Sequence, residues 1–360
     1  MTPIPVGPAA TEEPTAVDVR PGNPKRIGPV LAAANLSWML PFVASGTLIQ
    51  SLLGRWDEGT KLGHYAVMAT SGAVVAMLAN IVFGVLSDRT RSRWGRRNPW
   101  ILAGSLGTAL AGTALSFAHS FPVLVLLWIA MQISLNAMVG PLGALLPDRV
   151  APTDLGRASS WIGLGILLGR SVGAVGAGML VSVPTQGLHW IFWLTPLGGL
   201  LILRAAPEGS TAALPRDPAT VRVLLRTLLP PRDADYLWAL VGRLLTLLGL
   251  DLVVVYQLYV LTDYLKVPTG RVGSVIAVSG VLTAVMAGAG IAIAGPMSDR
   301  LGRRKVFVVS AAMTGAAAVL PMVIAPSLGT FFVFVVAAGL GYGCYAAVDQ
   351  ALMGVSELPR

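Results

Sequence analysis

The chain has 360 residues, of which 54% are hydrophobic and only 12% are charged, and its formal net charge at pH 7 is +9. Its mean hydropathy of +0.72 excludes an ordinary soluble domain, in which about a quarter of the residues are charged. The composition therefore indicates an integral membrane protein.

Taken in chain order, residues 1–26 contain six prolines and no basic segment followed by an apolar core. This stretch is not typical of a cleavable signal peptide, and we expect a disordered cytoplasmic tail. Beyond it, apolar windows long enough to cross a bilayer, about 20 residues each, alternate with short polar loops. Because helices satisfy their own backbone hydrogen bonds in lipid, we predict an all-α membrane protein with about ten transmembrane helices. The predicted spans are 27–53, 64–86, 99–118, 121–147, 157–183, 187–204, 236–262, 270–297, 305–325 and 328–354.

The basic residues are distributed unevenly between the two sides of these spans. With a cytoplasmic N-terminus, the inside segments hold 20 of the 26 lysines and arginines, and the outside loops hold only Arg55, Lys61, Lys266 and Arg271. Such an asymmetry follows the positive-inside rule, so we predict a multi-pass protein of the cytoplasmic membrane. The same rule accounts for the basic charge without a nucleic-acid partner.

One loop sequence occurs twice. GVLSDRTRSRWGRR, residues 84–97, lies between the second and third spans, and GPMSDRLGRR, residues 295–304, lies between the eighth and ninth. The spacing predicts two related halves, 27–204 and 236–360, joined by a cytoplasmic linker at 205–235. The second half then holds four of six helices, with the last two missing.

The pattern G-x-x-x-D-R-x-x-x-x-x-G-R-R in the first loop resembles the signature loop of the major facilitator superfamily, whose halves are parallel repeats. More narrowly, SDRTRSRWGRRNPWIL resembles the glycoside–pentoside–hexuronide cation symporters and the sucrose-transporter-like proteins, and NAMVGPLGALLPDRV is similar to the latter. The resemblance implies a secondary transporter in which these loops gate the cytoplasmic side. The implied gating residues are Gly84, Asp88, Arg89, Gly95, Arg96 and Arg97 in the first loop, and Gly295, Asp299, Arg300, Gly302, Arg303 and Arg304 in the second.

A carboxylate that faces the N-terminus of a neighbouring helix is stabilised by the helix dipole. By the resemblance, Asp299 is expected near the start of the fifth span, at 153–157, where it would close the cytoplasmic side. Asp88 would face an eleventh span, which the chain lacks. The alternative is that the arginines only anchor the loops in the headgroup region.

The sequence departs from two branches of this superfamily. Positions that align with the sodium-binding acids of melibiose-type symporters hold Ala76, Asn80 and Val139, none of which is anionic. Gly143 stands where plant sucrose transporters carry an arginine. The sequence therefore favours a proton over sodium as the coupling ion and does not indicate sucrose as the substrate.

Ionisable residues within spans are costly unless they are paired or face water. Arg170, Asp251 and Asp349 fall near mid-membrane at 1.5 Å per helical residue, beside amides and aromatic rings that suit a polyhydroxylated ligand. The alternative for each residue is that it joins helices internally. The predicted substrate- and proton-binding residues are Gln132, Asn136, Arg170, Asp251, Tyr256, Gln257, Tyr342, Tyr345, Asp349 and Gln350.

For coupling, the sequence favours Asp349 as the proton carrier, with Arg170 as the cation that approaches it; the alternative is a fixed Asp349–Arg170 ion pair. We predict proton-coupled symport of a sugar. The alternatives are export of a drug-like or metabolite substrate, and a non-transporting remnant or membrane regulator. No metal site is predicted, since Cys344 is the single cysteine. No enzyme activity is predicted, because no Ser/His/Asp or paired-carboxylate constellation stands out, and no cofactor is predicted. The predicted partners are the lipid bilayer, the small-molecule substrate and the coupling proton, with the chain as a monomer.

Overall fold

The computed structural model describes residues 24–151, 154–212, 234–301 and 304–356, and within those ranges the chain is helical and contains no strand. Except at the end of the seventh span, the helix bounds agree with the predicted spans within a few residues, because both follow the same apolar windows. We number the helices α1 (Pro24–Trp56), α2 (Lys61–Arg89), α3 (Asn98–Ala114), α4 (Phe121–Arg149), α5 (Leu155–Leu180), α6 (Pro184–Ala205), α7 (Ala234–Val255), α8 (Thr269–Leu301), α9 (Arg304–Ile324) and α10 (Leu328–Ser356).

Eight helices in the described part of the chain are long and apolar enough to cross a membrane. They are α1 to α6, the Thr269–Ala294 part of α8 and the Leu328–Ala346 part of α10. The predicted all-α membrane fold is confirmed. The count of ten spans and the two missing helices stay predictions, and residues 1–23 and 213–233 of the predicted tail and linker lie outside the described residues.

Helices α1 to α6 pack on one another as a first half, with α1 against α5 and α6, and α4 against α2 and α3. Gly165, Gly169 and Gly173 line the face of α5 that meets α1. A Cβ atom at Gly173 would lie 2.6 Å from the Leu40 carbonyl oxygen, too close for any side chain. This row of small residues lets α1 approach α5 closely.

In the second half, α10 packs on α8 and α9, and α9 contacts α7. The two halves meet mainly along α5 and α8. At that contact the backbones of Gly178 and Gly273 touch, and Gly280 faces Ala174. Small residues therefore set the distance between the halves.

The seventh span was predicted over 236–262, and the structure shows an interruption near its end that the sequence did not indicate. Helix α7 stops at Val255, and a short helical turn (Gln257–Tyr259) and a π-helical turn (Val260–Tyr264) follow. Three consecutive valines, which are stiff in helices, precede the break. The Val255 carbonyl oxygen accepts a 2.6 Å hydrogen bond from Gln50 Nε2 on α1, so a side chain from the first half supports the break.

Helix α6 is interrupted as well. Its first segment, Pro184–Ile191, passes through a 3₁₀ turn at Phe192–Leu194 into Thr195–Ala205. Pro196 occupies an early position of the second segment, where its missing N–H group costs nothing. The ring of Phe192 is buried against Gly112 of α3, so the turn is part of the core of the first half.

Candidate functional site

Three groups of polar residues mark the two ends and the middle of the helix bundle. The basic end comprises the loop 90–97 and the adjoining ends of α4 and α6, and the opposite end comprises the loops 57–60 and 265–268. A third group lies at mid-depth between the halves.

Arg97 is the centre of the basic end. It is only 4% exposed, yet its guanidinium group has three partners. Nη2 lies 2.5 Å from Asp88 Oδ1, Nε lies 3.0 Å from Asp148 Oδ2, and Nη1 donates to Ser87 Oγ at 2.6 Å. A buried charge with this many partners holds the ends of α2, α3 and α4 together.

Two further acidic groups complete the basic end. Asp148 also pairs with Arg96 at 2.8 Å. Glu208, from the segment after α6, accepts hydrogen bonds from the backbone N–H groups of Arg97 (2.7 Å) and Asn98 (3.0 Å). Those groups begin α3, so Glu208 caps the positive end of its dipole. The first signature loop therefore braces the first half internally.

Gly95 makes the turn of this loop possible. Its φ angle is +88°, a region that glycine enters at no steric cost. The Glu208 side chain lies directly over it, in the space that a Cβ atom would occupy. Glycine is needed here for both conformation and space.

The other gating residues have different outcomes. Asp88 was predicted to face an eleventh span, and in the structure its carboxylate contacts Arg97 of its own loop. Gly84 and Arg89 lie near the end of α2. In the second loop, Gly302 and Arg303 lie outside the described residues, and so do the side chains of Asp299, Arg300 and Arg304 and the surroundings of Gly295. The contact of Asp299 with the start of α5 stays a prediction.

At mid-depth, an ion pair joins the two halves. Arg170 Nη2 on α5 donates to Asp251 Oδ1 on α7 at 2.9 Å. The two side chains are 32% and 39% exposed, so neither is fully buried by the pairing. Sequence reasoning selected both residues, and the structure brings them together.

Tyr342 on α10 is the third member of this central group. The Arg170 guanidinium lies 4.9 Å from the centre of its ring, within the range of a cation–π interaction. Arg170 was predicted to approach Asp349, and the partner that the structure describes is Asp251. The side chains of Asp349 and Gln350 lie outside the described part of α10.

Gln132 and Asn136 are buried, at 4% and 8% exposure. Asn136 accepts a 3.3 Å hydrogen bond from Asn80 of α2 and donates to the Gln132 carbonyl oxygen at 2.9 Å. This arrangement places the amides in the contact between α2 and α4. It favours the internal joining of helices that sequence reasoning left open for them.

The other predicted site residues lie around the break in α7 and on α10. Tyr256 packs edge-on against Tyr65 of α2, with ring centres 5.4 Å apart, so it is an inter-half contact. Gln257 donates to Ser279 Oγ of α8 at 2.6 Å. Tyr345 is buried at 4% exposure.

The opposite end holds an ion pair that sequence reasoning missed. Lys61 begins α2 and is 7% exposed; its Nζ lies 2.9 and 2.8 Å from the two carboxylate oxygens of Asp263. Burial opposes ionisation of Asp263, but hydrogen bonds from Lys61 and Thr262 outweigh it, so the pKa of this carboxyl lies below 3.8. Lys61 was counted only as a loop charge, because nothing in the sequence near it indicates a partner 202 residues away.

Gln50 is a second residue that sequence reasoning missed. Besides its bond to Val255, its carbonyl oxygen accepts a 3.0 Å hydrogen bond from the Tyr259 hydroxyl. Gln50 is 2% exposed, so α1 and the broken end of α7 are joined in a buried contact. Among the described residues, no group of three or more His, Cys, Asp or Glu side chains is placed to hold a metal ion.

Comparison with known families decides the classification. The family model for MFS/sugar transport proteins matches residues 56–355, which is most of the chain and includes both signature loops. The chain belongs to this family.

Individual relatives match smaller parts of this family member. The rice sucrose transport protein SUT1 (Oryza sativa subsp. japonica) is 27% identical over 188 residues, which cover 44% of this chain and 34% of the rice protein. An uncharacterized symporter of Synechocystis sp., sll1374, is 51% identical over 43 residues, or 12% of this chain and 8% of that protein. The matched segments thus span about a third of the relatives' length or less.

Solved structures resemble this family member over most of its length. A bacterial homologue of the human lysosomal transporter Spinster, in an inward-facing and unoccupied conformation, aligns with a TM-score of 0.64 at 18% identity and covers 91% of this chain and 75% of its own. A D-xylose-proton symporter aligns with a TM-score of 0.52 at 14% identity, covering 90% and 80%. At these identities the similarity shows the fold alone.

Proposed function

We propose that this protein is a secondary active transporter that carries a sugar across the cytoplasmic membrane together with a proton, by alternating access. The observation that carries the proposal is the Arg170–Asp251 ion pair, which joins the two halves at mid-depth and has Tyr342 beneath the guanidinium. Its N-terminus and its basic end lie in the cytoplasm, in keeping with the positive-inside rule.

The ion pair suits proton coupling because its carboxyl group can change charge. When Asp251 accepts a proton, its attraction to Arg170 falls and the link between α5 and α7 weakens. Partial exposure of both side chains gives water a route to the carboxyl group. Asp349, about two helical turns beyond Tyr342 on α10, remains proposed as a second proton carrier.

Half-buried aromatic rings near the central ion pair's helices favour a sugar as substrate. Trp38 and Phe42 on α1, Tyr256 at the break after α7 and Tyr342 on α10 are half-buried and pack against one core. Ring faces cover the C–H surfaces of a sugar, while the neutral ion pair offers hydrogen-bonding groups without a net charge. The family's description as sugar transport proteins and the names of the rice relatives support the same substrate class.

Alternating access is supported by where the described contacts between the halves lie. Gly178 touches Gly273 near the opposite end, and Lys61 meets Asp263 there. From mid-depth to that end the halves are joined by side chains and backbone. This is the arrangement of a transporter closed to the outside, which we propose for the state described here.

The experiment that tests the proposal is uptake by proteoliposomes containing the chain, with a panel of labelled mono- and disaccharides and an imposed pH gradient. We expect one or more sugars to accumulate when the outside is acidic and to equilibrate without a gradient. Accumulation in the opposite gradient direction would instead identify an exporter. Failure to move any sugar in either direction would contradict the proposed function.

Sidedness is tested separately. Because Cys344 is the single cysteine, the variant Cys344→Ala carrying Ser92→Cys has one thiol in the loop of the basic end. An impermeant maleimide applied to intact cells should leave this thiol unlabelled until the membrane is permeabilised. Labelling from outside would place the basic end on the external side and contradict the proposed orientation.

A further inference from the structure

We propose that Lys61 and Asp263 form an outer latch, an ion pair that holds the opposite end closed and must open for the outward-facing state. The latch rests on the proposed alternating access and adds to it the pair of residues that controls the outer side. No part of it depends on which solute or ion is carried.

The geometry of the pair distinguishes it from a surface salt bridge. The Lys61 ammonium contacts both oxygens of Asp263 at 2.8 and 2.9 Å and lies 5.3 Å from the centre of the Tyr259 ring. The lysine side chain is 9% exposed and that of Asp263 is 35% exposed. Exposed pairs contribute little, but here the lysine side chain is almost wholly buried.

The positions of the two residues make the pair a link between halves. Lys61 is the first residue of α2 in the first half, and Asp263 lies in the π-helical turn that follows α7 in the second half. Separation of the halves at this end takes the ammonium away from both the carboxylate and the ring. Removal of one partner of a buried ion pair destabilises a structure by more than the intact pair stabilises it. The closed state is therefore favoured as long as both charges are present.

Neighbouring contacts hold Asp263 in place. Thr262 donates to Asp263 Oδ1 at 2.7 Å, and Tyr259, on the adjoining turn, donates to the Gln50 carbonyl oxygen. A cavity of about 540 Å³ borders the pair, lined in part by Gln50, Lys61, Asp263 and Val272. The break in α7 therefore presents its acidic residue to the first half, beside space that water enters when the halves part.

A single-thiol reporter measures opening at this end. Val272 of α8 is 2% exposed and lines the cavity, so the Val272→Cys variant in the Cys344→Ala background should react slowly with an impermeant maleimide added outside. We expect Lys61→Gln and Asp263→Asn each to raise the labelling rate about fivefold. The charge exchange Lys61→Asp with Asp263→Lys should restore a rate within twofold of the parent.

The matched control variants remove the charge of a residue that has no described contact with the other half. Arg271→Gln alters an exposed cation at the same end of α8, and Glu58→Gln alters an 86% exposed carboxylate 3.6 Å from Lys61. Neither should change the rate by more than twofold. Thermal unfolding of each variant in detergent shows whether the protein is folded, and the charge exchange keeps the test valid if a single variant is not.

Two results would overturn the latch. One is a labelling rate in both single variants equal to that of the parent, and the other is a charge-exchange variant that labels as fast as the singles. Since the assay contains no sugar and no pH gradient, its outcome is independent of the uptake experiment. If the protein moves no sugar but its labelling rate depends on these two charges, the latch stands and the proposed substrate is wrong.

Discussion

Arg170 Nη2 lies 2.9 Å from Asp251 Oδ1, so an ion pair joins α5 of the first half to α7 of the second half at mid-depth. The guanidinium also rests on the Tyr342 ring of α10. One cation thus contacts two helices of the other half. A change in the charge of Asp251 would therefore directly alter the contact between the halves.

The first prediction concerns that carboxylate. Asp251→Asn removes the proton-binding group, so we expect gradient-driven accumulation to fall at least tenfold while exchange of labelled for unlabelled sugar stays within about threefold of the parent. Asp57→Asn, in the exposed loop 57–60, is the matched control and should accumulate normally. Full accumulation by Asp251→Asn would exclude Asp251 as the proton carrier. Asp349→Asn, measured alongside, decides whether that residue has the role instead.

The second prediction concerns the buried arginine of the basic end. Arg97→Ala leaves Asp88 and Asp148 without their shared cation, and breaking a buried pair costs about 3–5 kcal/mol. We expect a marked fall in the midpoint of thermal unfolding in detergent and an intermediate fall for Arg97→Lys, whose ammonium lacks the planar geometry of the guanidinium. Arg93→Ala, an exposed arginine of the same loop, should change stability by less than about 0.5 kcal/mol. Equal midpoints for Arg97→Ala and Arg93→Ala would contradict the brace.

The third prediction compares two glycines of the first signature loop. Gly95→Ala forces a side chain into a positive-φ turn beneath Glu208, which should cost at least about 1–2 kcal/mol. Gly84 is helical and has nothing within 4 Å of an added Cβ, so Gly84→Ala should be neutral or stabilising by up to about 1 kcal/mol. Thermal unfolding of the two variants side by side measures the difference. Equal changes in the unfolding midpoint of the two variants would show that the loop does not require glycine at position 95.

The fourth prediction is a pH dependence at the opposite end. The pKa of Asp263 is lowered from its ordinary 3.8, so its pairing with Lys61 contributes stability that is present above about pH 4 and is lost as the pH falls through the lowered value. Glu58, 3.6 Å from Lys61, and Lys266 are the other charged groups nearby.

We therefore expect the difference in unfolding midpoint between the parent and Asp263→Asn to be constant from about pH 8 to about pH 5 and to shrink below about pH 4. A difference that vanished between pH 8 and pH 5 would mean that the carboxyl group titrates in the neutral range. That result would contradict the lowered pKa of Asp263.

The ends of the helices could be predicted from the sequence because each span is set by local hydropathy. Helix α5 was predicted at 157–183 and is found at Leu155–Leu180. The break after Val255 was not predicted, because apolar residues continue through it. Its support comes from Gln50, 205 residues away, which no local pattern reveals.

The charged residues also divide into features that the local sequence indicates and features that depend on distant contacts. Arg170 and Asp251 were selected because charge is rare within spans, a signal contained in the sequence itself. Their pairing, and that of Lys61 with Asp263, depends on which helices of the two halves face each other. Glu208 was counted with the linker, and its role at the start of α3 follows only from the return of the chain to the basic end.

Movement of protons together with sugar tests the account most directly. In lightly buffered suspensions of proteoliposomes with no imposed gradient, addition of a transported sugar should make the external medium more alkaline, because each sugar enters with a proton. Asp251→Asn should abolish this pH change while sugar exchange continues. Sugar entry at the parent's normal rate without any change in external pH would contradict proton symport.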